Sequence, residues 1–147
     1  MIRDILLRAA GSAESEAIAR VLQTCGLPYD EIEHPSSLFH IATMGGKVVG
    51  CAYGEQHGRT FAIHAAAVLP ECRGHRVATY LVSTLLMRAR THGCIRATVL
   101  NPEQPGFFAR CGFTLTPADS VTHELHLSRE TLRRFGIRTH YMCRHLD

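Results

Sequence analysis

Apolar residues recur along the chain with two different periods, and their alternation predicts helices packed on one sheet. Ile18, Val21, Leu22 and Cys25 fall at i, i+3, i+4 and i+7, one face of an amphipathic helix. Ser12 stands before it in an N-cap place, with Glu14 and Glu16 where the helix dipole favours negative charge, and Gly26-Leu27-Pro28 ends it. Val77, Ala78, Leu81, Val82, Leu85, Leu86 and Ala89 repeat the helical period most strongly, up to Gly93. Apolar runs bounded by turn signals predict strands from Ile5 to Arg8, Leu38 to Met44 and, across a Gly45-Gly46 hairpin, Lys47 to Glu55. Gln56-His57-Gly58-Arg59 reads as a turn, and Thr60 to Leu69 as a long buried strand stopped by Pro70.

Beyond it, Cys94 to Leu100 predicts a buried strand, and Pro102 to Arg110 a short helix with Pro102 in its first turn and Gly112 as its C-cap. Phe113 to Leu115 and Thr139 to Leu146 are further strands; Asp30 to Glu33 and Ser128 to Phe135 are further helices. The fold class is therefore α/β: a single mixed sheet flanked by helices, in one domain spanning residues 1–147.

Composition narrows the function classes without choosing one. At 147 residues, with 46% hydrophobic and 20% charged residues, the chain has enough apolar material for one core and too little net charge, +3, for disorder. The longest nearly apolar run, Phe61 to Leu69, is far below the ~20 residues of a membrane span. The start Met1-Ile2-Arg3-Asp4 carries no secretory pattern. The six cysteines lie far apart with no C-x-x-C pair, which reads as reduced thiols in a cytoplasmic protein. Fifteen of the 16 Lys and Arg residues are arginine and are scattered, so no nucleic-acid footprint is expected.

Chemistry concentrates where the long strand meets the long helix, at Val68-Leu69-Pro70-Glu71-Cys72-Arg73-Gly74-His75-Arg76-Val77-Ala78. A basic, glycine-containing loop that runs into a helix N-terminus offers unpaired N–H groups and positive charge to an anion. It is neither a Walker A loop nor a G-x-G-x-x-G fingerprint. The alternative reading is a plain strand-helix turn with solvated arginines.

At this loop the chain resembles the GCN5-related N-acetyltransferase (GNAT) superfamily, whose acyl-CoA loop has the form V-x-P-x-x-[RQ]-x-x-G-x-[GA]. Val68, Pro70, Arg73 and Ala78 are in register, Gly74 is in a frequent place, and Arg76 replaces the usual middle glycine. Gly106-Phe107-Phe108-Ala109-Arg110-Cys111-Gly112-Phe113 resembles the family's F-Y-x-x-x-G-F element, so the likeness runs over about residues 3 to 115. The tail is similar to that of small bacterial members. The resemblance implies a mostly antiparallel twisted sheet and acetyl-CoA as cosubstrate. It further implies cofactor contacts from Ala66, Ala67, Val68, Arg73, Gly74, His75, Arg76, Val77, Ala78, Asn101, Phe107 and Phe108.

The implied reaction is attack of an amine, from a small molecule or amino acid, on the thioester. Such a reaction needs a base for the amine proton and donors for the oxyanion. His64 is the leading base: it alone between Thr60 and Leu69 titrates near neutrality, and alternation places residues 62, 64, 66 and 68 on one face. Its place is similar to that of a histidine in arylalkylamine acetyltransferases. The alternative is a satisfied core histidine. Glu55 is a second candidate, as base or amine anchor, against the reading of a solvated strand-end carboxylate. The family's frequent tyrosine acid falls on Phe108, which has no proton to give. Either water protonates the thiolate, or the domain is a non-catalytic acyl-CoA-binding sensor or partner module. Ten histidines raise a metal reading through His123-x-x-His126 or Cys143 with His145, but no four-ligand spacing emerges, and no metal is expected. The long final strand permits a homodimer.

Overall fold

The computed structural model describes residues 4–27, 37–100, 102, 104–116 and 141–146. Ile5–Ala9 forms β1, Ser15–Thr24 α1, Ser37–Met44 β2, Lys47–His57 β3 and Thr60–Val68 β4. Val77–Thr91 forms α2, Arg96–Leu100 β5, Pro105–Arg110 α3, Thr114–Thr116 β6 and Tyr141–His145 β7. The seven strands make one sheet in the order β1-β2-β3-β4-β5-β7-β6. Of its strand pairs only β4 with β5 is parallel, and α2 makes the crossover between them. The expected class, a mixed and mostly antiparallel sheet flanked by helices, is the observed one.

The helical periods bury the faces they predict. Ile18, Val21 and Leu22 of α1 are buried, and Val77, Leu81, Val82, Leu85, Leu86 and Ala89 of α2 pack against the sheet. Fully buried side chains of this size, such as Phe61, Ile41 and Leu85, each contribute about 1.5–3 kcal/mol of apolar burial. The six cysteines are all free; Cys51, Cys72 and Cys94 are buried. No described helix is long and apolar enough to cross a membrane.

Three local expectations are corrected, and the last strand takes a place that the sequence left open. Ser12 does not cap α1: it sits in a 3-10 turn, Ser12–Glu14, where the Glu14 carboxylate accepts the Gly11 N–H at 2.8 Å, and Glu14 itself stands at the N-cap of α1 without a side-chain cap bond. Arg8 Nη2 donates to the same carboxylate at 2.6 Å and holds it below the usual carboxylate range, with the Gly11 N–H adding to the effect. The short helix starts at Pro105 rather than Pro102, because Pro105 occupies the first helical turn. β7 enters the sheet between β5 and β6, so the last strand fills an interior place. Finally, β3 runs two residues further than expected, leaving only Gly58 and Arg59 in the turn and making His57 a strand residue. The expected helices at 30–33 and 128–135 lie outside the described residues.

Two features of the sheet position the site. The β3–β4 register slips between Tyr53 and Gly54: Tyr53 faces Ala65 while Gly54 faces Ile63, so His64 is the extra residue of a bulge. Gly54 is required there by close approach. A Cβ on it would lie 2.4 Å from the Ala62 carbonyl and 2.7 Å from the Phe61 ring. The second feature is a splay. β4 pairs with β5 only from Thr60 to Ile63, yet continues five residues further, to Val68, along β3.

Candidate functional site

Among the described residues, the splay leaves one edge of β4 without a neighbouring strand beyond Ile63. Peptide groups of successive strand residues point to opposite edges. The Leu69 N–H donates to the Val49 carbonyl on the β3 side at 2.9 Å. By alternation Ala67 also turns its peptide toward β3, and Ala66 and Val68 turn theirs toward the open edge. Of the three expected backbone donors on this strand, Ala66 and Val68 therefore face the splay and Ala67 does not.

The loop that follows runs from the end of β4 into α2. Pro70–Cys72 makes one 3-10 turn, Gly74 takes φ +90°, and Arg76 takes φ 60°, ψ 23° as the N-cap of α2. Arg76 is the one non-glycine residue with positive φ among the described residues. It keeps the left-handed backbone that a glycine adopts freely, while adding an exposed guanidinium to the loop. No described side chain caps the α2 N-terminus, so its first N–H groups face outward beside Gly74, His75 and Arg76. The expected loop residues Arg73, Gly74, His75, Arg76, Val77 and Ala78 are thus brought together around one helix start. Arg73 behaves differently from the others. Its Nε donates to the Val68 carbonyl at 3.0 Å, and its Nη2 lies 3.7 Å from Cys25 Sγ. Its side chain braces the loop against β4 and the end of α1.

At the start of the splay stands a cluster of titratable groups. His64 Nε2 lies 3.4 Å from Glu55 Oε2, and His57 Nε2 lies 3.5 Å from the same oxygen. Directly opposed residues of an antiparallel pair share a face. Glu55 faces Ala62, Tyr53 faces Ala65 and His57 faces Thr60, so these six belong to one face. The bulge turns His64 onto that face as well, where its ring centroid is 5.8 Å from that of Tyr53. The opposite face carries Phe61, Ile63, Ala66 and Val68, paired with Gln56, Gly54, Ala52 and Gly50. The expectation that 62, 64, 66 and 68 share a face is corrected here. One inserted residue shifts the parity, and 62 and 64 part from 66 and 68. His64 and Glu55, the two expected bases, are brought into contact. Their side chains are 41% and 19% exposed, so a solute can reach the histidine while the carboxylate is mostly enclosed.

Sequence reasoning missed His57 because it read Gln56 to Arg59 as a turn. The available signal was the spacing of Glu55 and His57, which places them on one face as soon as the strand is extended. Phe107 is half-buried and Phe108 buried, the two rings meeting edge to face at 5.1 Å, with Phe113 against Phe108 at 5.6 Å. Asn101 lies outside the described residues. Of the tyrosines, Tyr53 stacks on Phe39 at 4.7 Å, Tyr141 packs against Ala62 and Leu100, and Tyr80 is exposed on α2. Among the described residues no group of three or more His, Cys, Asp or Glu is placed to hold a metal ion; His123 and His126 are outside them.

Several solved structures share this architecture. N-acetylglutamate synthase from Neisseria gonorrhoeae, complexed with coenzyme A and N-acetyl-glutamate, is 23% identical with a TM-score of 0.79, covering 100% of this chain and 36% of that one. An acetyltransferase of the GNAT family from Staphylococcus aureus Mu50 is 11% identical with a TM-score of 0.76, covering 98% of this chain and 100% of that one. Rv2747 from Mycobacterium tuberculosis, in complex with CoA, is 24% identical with a TM-score of 0.72, covering 97% and 99%. The chain spans 36% of the length of the gonococcal synthase. At these identities the likeness is one of fold. Sequence supplies the assignment: residues 1–113 match the family model of the Acetyltransferase (GNAT) family. With most of its length matched and the splayed sheet in place, the chain belongs to the GNAT acetyltransferase family.

Proposed function

We propose that the chain transfers an acetyl group from acetyl-CoA to the amine of a small molecule or amino acid, by direct attack on the thioester. The observation that carries the reading is the meeting of His64 and Glu55 at the start of the splay. An open strand edge lies on one side of that pair, and further along the same strand an uncapped helix start follows. Coenzyme A in the gonococcal and mycobacterial structures supports the choice of donor, and N-acetyl-glutamate in the former supports an amino-acid acceptor.

In this reading the pyrophosphate sits at the α2 N-terminus among Arg73, Gly74, His75, Arg76, Val77 and Ala78, held by N–H groups and the helix dipole. Ala66 and Val68 offer peptide groups to the pantetheine arm and the thioester oxygen along the open edge, with Ala67 lending shape. Phe107 and Phe108 flank the arm. With Nε2 facing the Glu55 carboxylate, His64 carries its proton there and presents Nδ1 as the acceptor. An arriving ammonium gives one proton to Nδ1, and the Glu55 charge stabilises the imidazolium. The amine nitrogen then attacks the carbonyl carbon, the oxyanion meets backbone N–H donors, and collapse breaks the C–S bond as the nitrogen, cationic in the adduct, loses its second proton to water. A thiol pKa of about 8.5 makes the thiolate a tolerable leaving group, which water can protonate.

One observation favours a second reading. Phe108 is buried in an aromatic cluster where a proton-donating tyrosine is frequent, which suits a domain that binds acyl-CoA as a sensor without turnover. Incubation with acetyl-CoA and a panel of amines and amino acids, following thiol release and the N-acetylated product together, separates the two. Release coupled to product supports the transferase. Tight CoA binding with no product from any acceptor supports the sensor, and no CoA binding overturns both.

A further inference from the structure

One carboxylate oxygen, Glu55 Oε2, faces two imidazole nitrogens, His64 Nε2 at 3.4 Å and His57 Nε2 at 3.5 Å. The two histidines differ in access. The His57 side chain is 11% exposed and that of His64 is 41% exposed. His57 ends β3 two residues beyond Glu55, so both lie on one face by strand geometry. We propose that His57 is a positioning residue for the transfer: it takes part of the Glu55 oxygen and so limits how firmly that carboxylate holds the proton of His64.

The inference rests on the reading of His64 as the base. An oxygen that accepts from two donors is a weaker acceptor for each, and a second N–H lowers the basicity of the carboxylate. Without His57 more of Glu55 Oε2 would serve His64, and the imidazolium would persist to higher pH. A base works best when it is free near the operating pH, so a shared carboxylate suits the task better than an exclusive one. Low exposure at His57 strengthens the effect, because little water screens it.

Other titratable groups reach the same face. On β3 and β4 these are Tyr53, Glu55, His57 and His64. From β5, Arg96 Nε donates to Thr60 Oγ1 at 3.1 Å, and Thr60 is the partner of His57. From β7, Cys143 and His145 stand opposite Thr98 and Arg96, and from the β3–β4 turn comes Arg59. β2 brings Ser37 and Phe39, neither of which titrates here.

The test is a side-chain NMR titration of His64 in the free protein, comparing the parent with His57→Phe, His57→Gln, Glu55→Gln and the Glu55→Gln/His57→Phe double variant. Removing the donor in His57→Phe is expected to raise the His64 midpoint by about 0.5–1 pH unit. His57→Gln, which keeps an N–H donor, is expected to stay near the parent. In the Glu55→Gln background His57→Phe is expected to change nothing. His57→Leu repeats the measurement if the phenylalanine variant fails to fold. An unchanged or lowered midpoint in the apolar variant, or a rise that survives Glu55→Gln, overturns the proposal. The titration needs no substrate, so a protein that acetylates nothing would defeat the transferase reading and leave this result separately legible.

Discussion

Arg73 Nε donates to the Val68 carbonyl at 3.0 Å, joining the first basic residue of the loop to the last residue of β4. The same guanidinium reaches the Cys25 thiol at 3.7 Å and so links the end of α1 to the loop. A residue read from sequence as charge for a phosphate therefore also fixes the shape of the turn between β4 and α2. Arg73→Ala is expected to weaken CoA binding about 5–10-fold, or ~1–1.4 kcal/mol, in calorimetric titration. Arg73→Lys, which restores charge without the planar fork, is expected to recover only part of that loss.

Arg76 holds a left-handed backbone at φ 60°. That conformation costs an ordinary residue about 1–2 kcal/mol, and glycine would lose about 0.5–1 kcal/mol of chain entropy in its place. Arg76→Gly is therefore expected to stabilise the fold by about 0.5–1 kcal/mol in urea denaturation. A loss of stability would mean that the arginine side chain makes compensating contacts.

Gly54 has no room for a methyl group, because the Ala62 carbonyl would lie 2.4 Å from its Cβ. Gly54→Ala is expected to cost about 1–3 kcal/mol. Since backbone must move to relieve the clash, the bulge that carries His64 moves with it. Thermal denaturation checks the first effect, and loss of acetyl transfer in the residual folded protein checks the second.

Two buried groups set opposite limits on pH stability. Burial lowers the His40 pKa, and the neighbouring Arg88 charge lowers it further. Between that lowered value and 6.5 the unfolded chain binds a proton that the native state refuses, so stability falls as pH falls through this window. At the other end, burial chiefly, with Cys25 nearby, pushes the Cys51 thiol up to about 12. Above pH ~9 the unfolded thiol ionises while the native one stays neutral, so stability falls again as pH rises. Urea midpoints measured from pH 5 to 10 are expected to show both declines, with the alkaline one reduced in Cys51→Ala.

The helices, the hairpin and the loop were legible because their residues report on themselves. Leu81, Leu85 and Ala89 face the sheet by period alone, and Gly45-Gly46 makes a turn wherever it occurs. What escaped depends on pairing between segments. The bulge at His64 follows from the fit of Gly54 under the Phe61 ring, which no local pattern announces. His57 became visible only once β3 was seen to continue through it, and β7 took its place between β5 and β6 through contacts distant in sequence. Contact between His64 and Glu55 was half readable: each was named alone, and the register joined them.

The pH–rate profile of His64→Ala tests the central claim most directly. With His64 as the base beside Glu55, kcat/KM for acetyl transfer is expected to fall about 10²-fold or more at neutral pH, with loss of the acid limb expected of the parent. A variant that keeps both its rate and the shape of its profile would contradict the assignment.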